Sequence, residues 1–351
     1  MPELCLMSEG DLQMDEVMRH ELAPVPTAMF SDTGDMISAK QKSKLKSEMK
    51  IEIGKRNQKV EAVIVDGNAR FWTCYWPEKG LVEDLAESYF QYVVNLLKYH
   101  DVYLVFDRYY DYSIKGVTRA DRAKNIAFKH NLSLNTPLPS RPFALGSSHN
   151  KVQLIEITSE YVCSKVSGLS TPNRLFVTSA NHVPKLVHGG TIVNCDEMRT
   201  SHEEADIILV QQCFNAIANG CSSVNVISDD TDVFVLLVHL YEQTQCNATV
   251  LMEDTHGDRT GIDIGQTAAK HSHLAASLPA IHALTGCDST SRIHGIGKKT
   301  ALNVGKKAHL PRMGIVDSSI DVITEEATRF IGSCYGIEAG SDMSSKRYIG
   351  K

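Results

Sequence analysis

Three apolar runs in this chain end in aspartate: Val-Ile-Val-Asp66, Leu-Val-Phe-Asp107 and Val-Ile-Ser-Asp229-Asp230-Thr231-Asp232. A further acidic pair, Glu204-Ala-Asp206, opens a stretch with helical spacing. Carboxylates drawn together repel and raise one another's pKa unless a cation neutralises them, and hard oxygen ligands suit Mg²⁺ or Mn²⁺. The chemistry open to such a set is therefore metal binding. Each acid also has an ordinary explanation. A single Asp after a strand often caps the following turn or helix. Asp229, Asp230 and Asp232 can all begin a helix over Val233 to Leu240, favoured by its dipole, and Ser201-His-Glu-Glu204 has capping-box spacing. Three strand ends, with Glu204 and Asp206 besides, exceed what caps require, so a metal site is expected.

A second feature runs from Thr285-Gly-Cys-Asp288 to Gly295-Ile296-Gly297-Lys298-Lys299-Thr-Ala-Leu and reads as a helix end, a loop and a new helix. Glycines let backbone amides approach an anion, and the helix N-terminus that follows favours phosphate. From Ser289 to Val316 there is no acid, while Arg292, Lys298, Lys299, Lys306, Lys307 and Arg312 lie close together. Such a stretch holds a nucleic-acid backbone without reading bases; a solvated hairpin is the plainer alternative. His256, His271, His273 and His282 match no standard zinc spacing. Cys287, beside Asp288, is read as a small buried residue rather than a nucleophile.

The acids need a scaffold that brings strand ends together. Strands are expected at Val60 to Val65, Asp101 to Phe106, Leu175 to Thr178, Thr191 to Asn194, Val224 to Ser228 and Ala248 to Met252. Gly67 permits a turn after the first. Leu81, Leu85, Tyr89, Val93 and Leu96 recur at helical spacing between the first two. Alternation of strand and helix predicts an α/β fold around a mainly parallel central sheet, and in such sheets ligands collect outside the carboxyl ends of the strands.

With 351 residues, 42% of them hydrophobic and 22% charged, the chain can bury a core. The longest apolar run, Val233 to Val238, has six residues, so no membrane span is expected. The N-terminus lacks the pattern of a secretory signal, and the nine cysteines form no Cys-x-x-Cys pair. An intracellular, nuclear location is expected. The net charge of −6 hides local basic stretches, of which residues 40 to 59 carry eight Lys or Arg. Residues 1–58 are read as a basic, partly disordered arm with order beginning at Val60. Import signal, DNA contact and solvated tail are all open for it.

Taken in order, these pieces resemble the flap-endonuclease/XPG superfamily of PIN-like 5′ nucleases: Val-Ile-Val-Asp66-Gly, Leu-Val-Phe-Asp107, Glu204-Ala-Asp206, Asp230-Thr-Asp232, and Thr-Gly-Cys-Asp288 leading into Gly-Ile-Gly-Lys-Lys-Thr-Ala. The resemblance covers about Val60 to Leu310. It implies a PIN-like core over 59–282 with a helical arch or cap insertion near 114–165, a helix–three-turn–helix over 283–310 and a tail over 311–351. Asp66, Asp107, Glu204, Asp206, Asp230, Asp232 and Asp288 would form a carboxylate shell for two Mg²⁺ or Mn²⁺ ions. Lys115 and Arg122, with Arg119 on the same helix face, would face the scissile phosphate. Gly295, Gly297, Lys298, Lys299, Lys306 and Lys307 would grip DNA phosphates, together with a monovalent cation. The activity implied is hydrolysis of branched or single-stranded DNA leaving a 5′ phosphate; an RNA endonuclease and a non-catalytic nucleic-acid-binding module are the alternatives. The chain departs from the family in the long segment before Val60, in Arg108 where a glycine is usual, in Leu132 to Asn150, and in the lack of a sliding-clamp-binding box after Leu310.

Overall fold

The computed structural model of the chain describes residues 26–39, 41–54, 60–109, 130–256 and 261–337. The chain divides into two units, one formed by Ser43–Pro279 and the other by the segments on either side of it.

The Ser43–Pro279 unit opens with α1 (Ser43–Met49) and β1 (Glu52–Ile53). Order therefore starts before Val60, contrary to expectation. Leu45 and Met49, one turn apart, are buried and seat α1, a stripe that the surrounding lysines conceal in the sequence. There follow β2 (Ala62–Asp66), α2 (Gly67–Thr73), α3 (Val82–Leu97), β3 (Asp101–Val105), α4 (Arg141–Gly146), α5 (Ser148–Ser167), β4 (Leu175–Thr178), β5 (Lys185–His188), β6 (Thr191–Asn194) and α6 (Ala205–Ala218). The unit closes with β7 (Ser223–Ile227), α7 (Thr231–Gln243), β8 (Thr249–Glu253), β9 (Gly261–Asp263), α8 (Ile264–Lys270) and α9 (Ser272–Ala275).

Among the described residues nine strands form one sheet in the order β1-β9-β8-β7-β2-β3-β4-β5-β6. The central strands β8, β7, β2, β3 and β4 are parallel, as the alternating pattern predicts, and the outer pairs are antiparallel. β1, β5 and β9 are too short to show an alternating pattern, and β6 joins through an antiparallel hairpin with β5. From β2 the chain builds outward to β3 and β4 on one side and later to β7 and β8 on the other. The strand order thus reverses between β2 and β7, where Val65 faces Ile227, and such a reversal opens a crevice at the carboxyl ends.

Every residue of β2 is buried, which explains its unbroken apolar run. On one face of the sheet, Leu85, Tyr89 and Val93 of α3 pack with Leu154 and Val162 of α5. Residues 148–165, expected within an arch or cap insertion, are instead a core helix. Its buried stripe runs Leu154, Thr158, Val162, Val166, and the polar Thr158 interrupts the apolar pattern. Residues 110–129 of that expected insertion lie outside the described residues.

In the other unit, residues 26–39 form a bend in which Phe30 pairs with Met36, so this part of the arm is also ordered. The arm's backbone joins the 286–297 loop, with Arg292 N donating to Ile37 O at 2.9 Å and His294 N to Ala28 O at 3.0 Å. After α10 (Leu278–Leu284) come α11 (Lys298–Gly305) and α12 (Ile320–Cys334). The expected tail therefore contains a helix, capped by Ser319 and seated by the buried Phe330. No helix among the described residues is long and apolar enough to cross a membrane.

Candidate metal centre

Asp66 is the last residue of β2 and the N-cap of α2: its Oδ1 accepts the Ala69 N–H at 2.8 Å. Gly67 follows in helical, not left-handed, conformation, so the turn expected from it is not its role. A Cβ there would stand 2.4 Å from a ring carbon of Phe106. That ring is fully buried against Phe71 and Tyr89, and glycine is what lets α2 start so close to β3. Ser228, at the end of β7, ties the two strand ends together. Its hydroxyl lies 3.3 Å from Asp66 Oδ2 and accepts the Asp230 N–H at 3.2 Å.

Asp107 is held from both sides. Asn68 Nδ2 donates to its Oδ2 at 2.8 Å, and the Ala205 N–H at the start of α6 donates to its Oδ1 at 2.9 Å. Glu204 occupies the N-cap position of α6 but makes no side-chain cap bond, so the expected capping box does not form. The helix N-terminus is satisfied by the Asp107 carboxylate instead, and Glu204 and Asp206 flank that bond. Asp230 caps α7, its Oδ1 accepting the Asp232 N–H at 2.8 Å. Asp229 differs from its neighbours: its carboxylate accepts the Thr255 hydroxyl, and its carbonyl accepts Lys46 Nζ at 2.6 Å.

One carboxylate oxygen each from Asp206, Asp230 and Asp232 lies within 4.8 Å of the other two. Oxygens that share a divalent ion at about 2.0–2.6 Å are separated by no more than roughly twice that distance, so the spacing and the hard oxygen donors fit Mg²⁺, Mn²⁺ or Ca²⁺. Burial drives the Asp66 carboxyl up to about 7, and the charges of Asp107 and Asp230 add to the rise against the bonds from Ala69 and Ser228. Asp66, Asp107 and Asp230 are thus close enough to repel. Cap and cluster overlap in Asp230, which caps α7 with Oδ1 and also belongs to the group with Asp206 and Asp232, whereas Asp66 caps α2 with one oxygen and takes the Ser228 hydroxyl with the other. Asn68 and Ser228, which position these acids, carry no sequence pattern that singles them out. Lys115, Arg119 and Arg122 lie outside the described residues.

Asp288 belongs to the other unit, where Lys42 Nζ stands 3.1 Å from its Oδ2. Lys298 is not the exposed phosphate contact expected of it. Its ammonium is buried and donates to His282 O at 2.8 Å, Thr285 Oγ1 at 2.8 Å and Gly286 O at 2.7 Å. A lysine that ties the loop from within does not present its charge to a phosphate. Two loop amides, those of Arg292 and His294, are likewise taken by the arm. Gly295, with φ of +77°, and Gly297 are exposed, as are Lys299, Lys306 and Lys307.

No protein-family model matches the chain, and no curated protein does. Among solved structures, the chain is similar to the catalytic core of Rad2 in complex with DNA substrate, at 13% identity and a TM-score of 0.43, with 87% of this chain and 75% of that one covered. It is similar to flap endonuclease-1 from Methanococcus jannaschii at 14% identity and a TM-score of 0.43, with 80% of this chain and 81% of that one covered. Human GEN1 in complex with Holliday junction DNA gives 12% identity and a TM-score of 0.41, covering 82% of this chain and 57% of that one.

Proposed function

We propose that the chain is a divalent-metal-dependent phosphodiesterase acting on branched or single-stranded DNA. The observation that carries this reading is the approach of Asp206, Asp230 and Asp232 to within 4.8 Å of one another, with Asp66, at the end of β2, feeling the charges of Asp107 and Asp230. A purely structural role suits these acids poorly, because Asp66 is buried among like charges that oppose its ionisation. Asp206, Asp230 and Asp232 would hold the ions, two Mg²⁺ or Mn²⁺, with Asp66, Asp107 and Glu204 completing the shell. Bound there, divalent ions would activate a water and neutralise charge on the phosphodiester oxygens.

The chain's own groups supply position. Asn68 and the Ala205 amide fix both oxygens of Asp107, and Ser228 keeps the ends of β2 and β7 in step. The Asp66 cap holds one of its oxygens on α2. Lys115, Arg119 and Arg122 are proposed to face the scissile phosphate. Lys299, Lys306 and Lys307, exposed on and just after α11, are proposed to hold the DNA backbone through charge rather than base contacts.

The test is incubation of purified protein with end-labelled 5′-flap, single-stranded and duplex DNA and matched RNA, in Mg²⁺, Mn²⁺ or EDTA. Metal-dependent cutting of flap or single-stranded DNA is expected. Preferential cutting of RNA would replace DNA as the substrate. Binding without cutting in either metal would leave a non-catalytic nucleic-acid-binding module.

A further inference from the structure

Arg108, the residue that follows Asp107, is 1% exposed and directs its guanidinium into the protein. Its Nε donates to Ser179 O at 3.1 Å and its Nη2 to Asn181 O at 2.7 Å. Its Nη1 donates to Thr200 O at 2.6 Å and His202 O at 2.9 Å. The Arg108 backbone N–H donates to Glu203 O at 2.8 Å, and the adjoining Asp107 carboxylate takes the Ala205 N–H. Two consecutive residues just after β3 therefore fasten positions 200, 202, 203 and 205 of the segment that leads into α6. The same guanidinium joins that segment to the turn after β4.

We propose that Arg108 is a positioning residue for the metal-holding carboxylates, setting where Glu204 and Asp206 enter the site; this rests on the metal-dependent reading above. Glu204 lies between the fastened residues 203 and 205, and Asp206 lies on the first turn of the helix that follows. The planar guanidinium fork reaches carbonyls in two separate segments at once, which the point-like ammonium of a lysine cannot reproduce. Burying a charge at the back of a ligand-bearing loop is costly unless its donors are all engaged. The four carbonyl bonds engage four of the five guanidinium N–H donors and make the loop position depend on this side chain. Partners of this kind, one shell out from the ligands, set metal affinity without touching the metal.

The experiment is Mn²⁺ titration by calorimetry of wild type, Arg108→Lys and Arg108→Met, with urea unfolding of each in EDTA. The proposal predicts that Arg108→Lys, while folded, binds Mn²⁺ about 10–100-fold more weakly, and that excess Mn²⁺ restores its cleavage rate. A merely structural arginine would lower the unfolding midpoint and leave the Mn²⁺ affinity of the folded protein unmoved, which would overturn the proposal. If both variants fail to fold, hydrogen exchange of wild type decides. Mg²⁺ is then expected to slow exchange in 178–182 and 200–206 together, and unchanged exchange in both segments would overturn the proposal. Wild type that binds no Mn²⁺ would overturn the metal reading and this inference with it. Wild-type binding matched by Arg108→Lys would overturn this inference alone.

Discussion

Replacing Asp66 by asparagine removes a buried carboxyl whose pKa stands at about 7, against roughly 3.9 for an ordinary aspartate. The native protein then keeps this proton to higher pH than the unfolded chain does. Stability from this group is whole below about pH 4 and is lost as pH rises through about 7. A shift of roughly three pH units corresponds to about 4 kcal/mol, of which about 2.5 kcal/mol falls between pH 5 and 8. Asparagine keeps an oxygen for the Ala69 N–H and places an amide toward Ser228 Oγ, so the cap survives and the titration does not. The assay is urea unfolding of both proteins in EDTA at pH 5, 6, 7 and 8. Other groups titrate equally in both, so the readout is the difference between them. Asp66→Asn should gain on wild type by about 2.5 kcal/mol across that range. Saturating Mn²⁺ should reverse the order at pH 8, because the ionised carboxylate is the form that binds metal. A difference that stays constant from pH 5 to 8 would refute the burial and repulsion assigned to Asp66.

Gly67→Ala forces a methyl group against the buried Phe106 ring at 2.4 Å and should destabilise by about 1–3 kcal/mol in urea unfolding; a neutral result would mean that α2 is free to shift. Lys298→Met leaves the carbonyls of His282 and Gly286 and the Thr285 hydroxyl without their ammonium and should cost about 3 kcal/mol. That variant should also speed hydrogen exchange in the 285–297 loop. Combined Lys299→Gln, Lys306→Gln and Lys307→Gln should fold normally and flatten the salt dependence of duplex DNA affinity by about 0.9 in slope for each phosphate no longer neutralised. An unchanged slope between 50 and 200 mM salt would remove these lysines from the DNA surface.

The strand ends were legible because parallel strands buried on both faces give unbroken apolar runs, and in β2, β3 and β7 those runs stop close to an acid. The reversal of strand order was not, since no local pattern reports which strands become neighbours. Helix-cap and metal-ligand readings of Asp230 competed in the sequence, yet in the structure the same carboxyl caps α7 and belongs to the group with Asp206 and Asp232. Gly67 was legible as a constraint but not as the right one: the partner that excludes a side chain, Phe106, lies across the fold. Lys298 stood in a run of exposed-looking cations, and its burial follows from carbonyls of the preceding helix and loop that only the folded chain brings around it. Arg108 showed itself as a departure from the family pattern, whereas its four backbone acceptors come from segments more than seventy residues away. Thr158 broke the apolar stripe of α5, and lysines masked the two-residue stripe of α1, so both helices were hidden by their polar neighbours.

The most direct measurement is metal-dependent cleavage of end-labelled 5′-flap DNA by wild type and by an Asp230→Asn/Asp232→Asn variant, alongside the unfolding midpoint of each. The account predicts cutting by wild type in Mg²⁺ or Mn²⁺, none in EDTA, and a rate at least about a hundredfold lower in a variant that remains folded. Cutting by the variant at the wild-type rate, or cutting by wild type in EDTA, would contradict it.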